Sequence, residues 1–192
     1  WAFFTSYNTE QASSLKEIEA SQNDKDYIAA INWKKAAEYV NNGEGEDWPT
    51  EYYHNLMNEE TQTAESEIIK TVKMLDPAKY PGIIYYLPTP KSPHGVDVDS
   101  SGGYIVGNCK LSADMSVHSI SKMIKAIENE AYEKVVDGIP VLKYEEILAG
   151  IVEQPGLGPL HTEFDGKGYA YTSMFISSEI VKWKLGTWEI VD

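Results

Sequence analysis

Imidazole binds copper, zinc and iron near neutral pH, and this chain has four histidines: His54, His94, His118 and His161. Two of them stand in matched surroundings. One run reads His94-Gly95-Val96-Asp97-Val98-Asp99-Ser100-Ser101-Gly102-Gly103-Tyr104, and the other His161-Thr162-Glu163-Phe164-Asp165-Gly166-Lys167-Gly168-Tyr169. Each is a histidine, an apolar β segment, a turn begun by aspartate and containing glycine, then a strand led by tyrosine. The two histidines lie 67 positions apart. Two matched positions are harder to produce by accident than one, so His94 and His161 are the candidate metal ligands. His54, in the polar segment EYYHNLM, reads as an ordinary histidine. His118 alternates with Met115 and Val117 and reads as a packing or surface residue. Cys109 could be a soft metal ligand, but a lone cysteine after a strand is more often a small buried residue.

The elements that must position these residues are short. Residues 1–8 (WAFFTSYN) are β-prone. Thr9 to Asp26 is polar, with a weak helical tendency over 13–20. DYIAAINW (26–33) reads as a strand and 34–40 as a short helix. NNGEGEDWPT (41–50) has loop composition. In 51–75 the spacing of Leu56, Ile68, Ile69, Val72 and Leu75 predicts a helix, and 76–82 is a break. IIYYLPTP, GVDV, GYIVGN and MSVHSI then read as strands with turn residues between them. Residues 122–136 read as a helix with Met123, Ile124, Ile127 and Ala131 on one face, and 140–150 as a short strand or helix. Four short strands close the chain: LHTEF, YAYTSMF, EIVKW and TWEIV. Short antiparallel strands joined by tight turns form meander sheets, the unit of a propeller blade. A blade repeat is about 40–50 residues, and the helical stretch over 121–150 accounts for the longer spacing of the two histidine runs. The first strand of a blade lines the central channel, so both histidines are expected to face one axis. The expected fold class is therefore all-β, a partial β-propeller with helical insertions.

Composition narrows the function. The net charge is -14, from 16 basic and 30 acidic side chains. Binding nucleic acid or an anionic membrane surface requires phosphates to be neutralised by Lys and Arg. The basic residues cluster only at Lys34-Lys35 and at Lys182/Lys184, so neither partner is expected. No apolar run approaches the ~18–20 residues of a membrane-spanning helix. No signal-peptide pattern opens the chain, and Trp1 in place of Met reads as the start of a processed or truncated piece. The single cysteine excludes an internal disulfide framework.

SPHGVDVDSSGGYIVGNCKLS, GLGPLHTEFDGKGYAYTSMF and the following SSEIVKW closely resemble nitrous-oxide reductase, in the order that family has them. The opening FFTSYNTEQA resembles the family's TSYN-E segment. The helical additions expected around 35–75 and at HSISKMIKAIENEAYEK look like the Sec-exported branch of the family. The resemblance implies that residues 1–192 are two to three blades of a seven-bladed propeller, the other blades and a cupredoxin domain lying elsewhere. It implies a tetranuclear copper-sulfide cluster at the hub and a dinuclear copper centre in the cupredoxin domain. By motif match, His94 and His161 are two of seven histidine ligands to the cluster. It also implies calcium near the hub, with Tyr7 and Glu10 from the TSYN-E segment and Asp26 as ligands. Ser92 stands where the family often has asparagine and is the weaker fourth candidate. The implied reaction is reduction of nitrous oxide to dinitrogen and water in the periplasm. Its electrons come from a donor such as a cytochrome or a cupredoxin, and the family forms homodimers. This segment alone is expected to be inactive. The competing reading is a propeller-derived binding module that kept the scaffold without the cluster.

Overall fold

Alternation of buried and exposed residues sets the first sheet. In YIAAI, Ile28 and Ala30 point inward, and in IYYLP, Tyr85 and Leu87 do. That is the period-2 pattern of a strand with one face on a core. The computed structural model describes residues 1–5, 26–57 and 64–192. The chain divides into two compact units, one of residues 1–31 and 84–192 and the other of residues 32–83.

The larger unit holds three sheets. In the first, β1 (Ala2–Thr5), β2 (Tyr27–Ile31) and β5 (Ile84–Pro88) pair antiparallel in that order. The second runs β6 (Pro93–Val98), β7 (Tyr104–Cys109), β8 (Met115–Ser119), then β11 (Leu148–Val152). The third runs β12 (Pro159–Phe164), β13 (Tyr169–Met174), β14 (Glu179–Lys184). The second sheet is buried on both faces, because adjacent residues of β7 serve two different cores. Ile105 packs with Ile28, Leu87, Met123 and Leu142, on the side of the first sheet. Val106 packs with Met115, Val117, Met174 and Trp183, on the side of the third. Each fully buried Ile, Leu or Met contributes about 1.5–3 kcal/mol of transfer free energy, so these two seams fix the order of the sheets. Each sheet begins with an edge strand, and the edge strands β1, β6 and β12 lie side by side, β6 between the other two.

The first sheet is completed from further along the chain. β10 (Ile139–Leu142) joins β5 in parallel, and β9 (Tyr132–Val136) pairs antiparallel with β10. This corrects the helix expected over 122–136. The helix α2 spans Ile120–Glu128, with the Ser119 hydroxyl accepting from the Lys122 amide at 3.4 Å. Glu130 then takes a φ of 51°, which stops the helix, and YEKVV continues as strand. The apolar stripe of α2 is also shifted: Met123 and Ala126 are buried, whereas Ile124 is 37% exposed. Over 140–150 the strand and the helix both occur, since the short helix α3 (Tyr144–Ile147) separates β10 from β11. At the C-terminal end, TWEIV contributes only an isolated bridge between Trp183 and Ile190 rather than a fourth strand.

The smaller unit contains α1 (Trp33–Asn41) and a hairpin of β3 (Glu46–Met57) and β4 (Ala64–Met74). The Asn32 side chain caps α1 by accepting from the Lys35 amide at 3.1 Å. The hairpin overturns both the loop expected over 46–50 and the helix expected over 51–75. Its register places Trp48 opposite Val72, Tyr52 opposite Ile69 and Tyr53 opposite Ile68. Aromatic and β-branched residues favour strands, a propensity that runs against the helical spacing of the same segment. Among the described residues the class is thus all-β in four sheets, all but one of the strand pairings antiparallel, with few helices. No helix there is long and apolar enough to cross a membrane.

Candidate metal centre

The two histidines of the repeat occupy corresponding places. His94 follows Pro93, the first residue of β6, and His161 lies two residues after Pro159, the first residue of β12. Proline suits the first position of an edge strand, where no ladder hydrogen bond is lost. In both strands the register then slips, between Pro93 and Gly95 in one and between Pro159 and Thr162 in the other. A bulge leaves a residue outside the ladder and re-aims its side chain. The histidine falls inside the slip in each case. Their rings meet edge to face, with centroids 5.2 Å apart and planes at 81°.

The turns that follow are built alike. The Asp99 carboxylate accepts from the amides of Ser101, Gly103 and Tyr104, the last at 2.6 Å. The Asp165 carboxylate accepts from Lys167 at 2.7 Å and Tyr169 at 3.0 Å. Burial opposes ionisation of Asp99, but the Ser101 hydroxyl and the three amides outweigh it and hold the carboxyl below its ordinary value. The Lys167 amide does the same for Asp165, with partial desolvation opposing. The repeat seen in sequence is a repeat of hydrogen bonding.

Three residues around the pair, Asp97, Gly95 and Thr5, complete its surroundings. Asp97 lies within 3.4 Å of His161, Oδ1 to Nδ1, and its Oδ2 accepts from the Thr162 amide at 2.6 Å and from Asn108 Nδ2 at 2.8 Å. Gly95 is required by closeness. A Cβ there would stand 2.1 Å from the Leu160 carbonyl oxygen and 2.7 Å from His161 Nδ1. On the other side of β6, the Thr5 hydroxyl donates to the His94 carbonyl at 2.9 Å. The glycine beside a histidine was visible in SPHG; the partners of Asp97 were not, since Asn108 is on the adjacent strand β7 and His161 and Thr162 are on another sheet.

Of the expected calcium ligands, Tyr7 and Glu10 lie outside the described residues. Asp26 and Ser92 come together: the Ser92 amide donates to Asp26 Oδ1 at 2.8 Å, and Lys91 Nζ stands 3.4 Å from Oδ2. Ser92 is buried and has a φ of 59°. Carboxylate oxygens are among the donors a calcium ion takes, and Asp26 offers one, with the Lys91 ammonium as a competing cation and the Ser92 contact made through its amide nitrogen.

His118 and Cys109 belong to the interior. Burial alone pushes the His118 imidazole down to about 4. Burial pushes the Cys109 thiol up to about 12, against a hydrogen bond from Thr89. Thr89 Oγ1 lies 3.0 Å from Cys109 Sγ and 3.1 Å from Ser116 Oγ, and Ser116 Oγ is 3.3 Å from His118 Nε2. Both residues are buried, which for His118 decides between the packing and surface positions left open by the sequence. Among the described residues, no three side chains of His, Cys, Asp or Glu converge as a metal site would need.

The chain is 29% identical over 187 residues to the nitrous-oxide reductase of Pseudomonas fluorescens, covering 96% of this chain and 25% of that protein. It is 41% identical over 100 residues to the nitrous-oxide reductase of Stutzerimonas stutzeri, covering 52% of this chain and 14% of that protein. It is 39% identical over 100 residues to the enzyme of that name from Cupriavidus necator. The chain therefore resembles nitrous-oxide reductases along nearly all of its length, and it spans a quarter or less of the curated relatives it matches. No protein-family model matches it.

Proposed function

We propose that this chain is a segment of a nitrous-oxide reductase, and that residues 1–192 form part of its β-propeller domain. Three meander-like sheets packed face to face, with their first strands side by side, support the propeller reading. The observation that carries the functional reading is the His94–His161 pair, 5.2 Å apart and delivered by matching bulges on two of those first strands. His94 and His161 would serve as two ligands of a copper-sulfide cluster whose other ligands come from other parts of the protein. When bound, that cluster would supply the electrons that reduce nitrous oxide to dinitrogen and water. This segment's part is to hold the two imidazoles at a fixed angle and to bury the strands behind them. Asp26 and Ser92, with Tyr7 and Glu10, would hold calcium beside β6 and stiffen the approach to His94. The periplasm, an external electron donor and a homodimer go with this reading.

Metal analysis of the full-length protein tests it. His94→Ala and His161→Ala should each lower bound copper and abolish nitrous-oxide reduction, with secondary structure retained. Unchanged copper in both variants would favour the binding-module reading and end this one.

A further inference from the structure

His161 is exposed, but its Nδ1 edge faces β6, and that contact has a chemical direction. Asp97 Oδ1 faces Nδ1 at 3.4 Å, and Gly95 leaves so little room that an added Cβ would lie 2.7 Å from Nδ1 and 2.9 Å from Cε1. A carboxylate only accepts, so a ring nitrogen that bonds to it must carry hydrogen.

A chain of donors fixes that carboxylate from behind. The Trp183 indole can only donate, and it gives its N–H to Thr172 Oγ1 at 2.9 Å. The Thr162 hydroxyl donates to Asn108 Oδ1 at 2.7 Å. With that hydrogen committed, the bond between Thr162 and Thr172, also 2.7 Å, takes its hydrogen from Thr172. Asn108 has its oxygen turned to Thr162, so its amide group donates to Asp97 Oδ2 at 2.8 Å. Every link therefore points the same way: Trp183 to Thr172, Thr172 to Thr162, Thr162 to Asn108, Asn108 to Asp97. Asn108, Thr162, Thr172 and Trp183 are all buried, and in such surroundings polar groups keep the partners they have. The Thr162 amide adds a further bond to Oδ2 at 2.6 Å.

We propose that Asp97 is a positioning residue that holds the imidazole hydrogen of His161 on Nδ1 and so presents Nε2 to a metal. This rests on the reading of His161 as a ligand. A hydrogen-bonded carboxylate behind a ligating imidazole fixes tautomer and ring orientation.

Asp97→Asn separates this role from a structural one. Its single carbonyl oxygen would take the bonds from Asn108 and the Thr162 amide, and its amide group would face the ring. Nδ1 must then accept, and the hydrogen moves to Nε2. Asp97→Ala removes the acceptor and imposes no donor. In the full-length protein labelled with ¹⁵N-histidine and stripped of metal, the wild type should show His161 protonated on Nδ1, and Asp97→Asn should show it on Nε2. Copper(I) affinity measured against a chromophoric chelator should fall about 10–100-fold in Asp97→Asn and less in Asp97→Ala. Loss of packing alone predicts the opposite order, because asparagine is the better isostere. An unshifted tautomer in Asp97→Asn overturns the proposal, as does an alanine variant weaker than the asparagine one. If His161→Ala itself leaves copper affinity unchanged, the ligand reading fails, while the tautomer measurement still decides what Asp97 does to the ring.

Discussion

At the residue scale, what matters around the histidine pair is how little space is left. Gly95→Ala puts a methyl group against the Leu160 carbonyl, a backbone atom that cannot swing aside. Overpacking of this kind costs about 1–3 kcal/mol. The variant should unfold at lower denaturant concentration and bind less copper, as equilibrium unfolding and metal analysis would record. His118 gives a pH dependence. Its folded value of about 4 lies below its ordinary value of 6.5 because the burial favours the neutral ring. The stability tied to neutral His118 is therefore fully present above pH ~6.5 and is lost as pH falls from there through the folded value. Thermal unfolding between pH 7 and 4 should show this decline, and His118→Gln should flatten it. An unchanged slope in the variant would assign the acid sensitivity to other groups.

At the element scale, turn chemistry decides where strands pair. Asp137 and Gly138 have φ of 52° and 80° between β9 and β10, the two-residue hairpin that Asp-Gly favours. Gly138→Val forces a β-branched residue into the left-handed region, which costs about 1–2 kcal/mol. Hydrogen exchange should speed up in β9 and β10 and leave β13 unaffected. That hairpin was written in VVDGIPV, but the amphipathic run before it also fits a longer helix. The strands β5 to β8 and β12 to β14 were legible because short β-prone runs are set off there by turn residues, such as Asp165-Gly166 between β12 and β13. The β3–β4 hairpin was not, since Leu56, Ile68, Ile69 and Val72 satisfy a helical spacing and only cross-strand partners break the tie. The same limit applies at the site. The histidine pair could be seen as a repeat within the sequence. Asp97 could not be assigned, because strand alternation carries it away from His94 and its partner is on the neighbouring sheet.

At the scale of the larger unit, the second sheet is covered on both faces, but the third is covered on one. Ile180 is 72% exposed and Phe175 62%, beside Tyr169, Tyr171 and Lys182, whose ammonium lies 4.4 Å from the Tyr169 ring centre. A face of that kind tends to find apolar company. The 192-residue chain, expressed alone, should self-associate, and light scattering should show less of it for Ile180→Lys combined with Phe175→Ser. A monomer with one sharp thermal transition in the unmodified chain would contradict this. The parallel seam between β5 and β10 has a consequence for biogenesis. Tyr86 meets Val141 there, 55 positions later in the chain, and the whole of the second sheet's first three strands is made in between. On a ribosome the first sheet must wait, its β5 margin bare, until that intervening stretch has emerged. The first sheet can therefore be completed only after the first three strands of the second have been made.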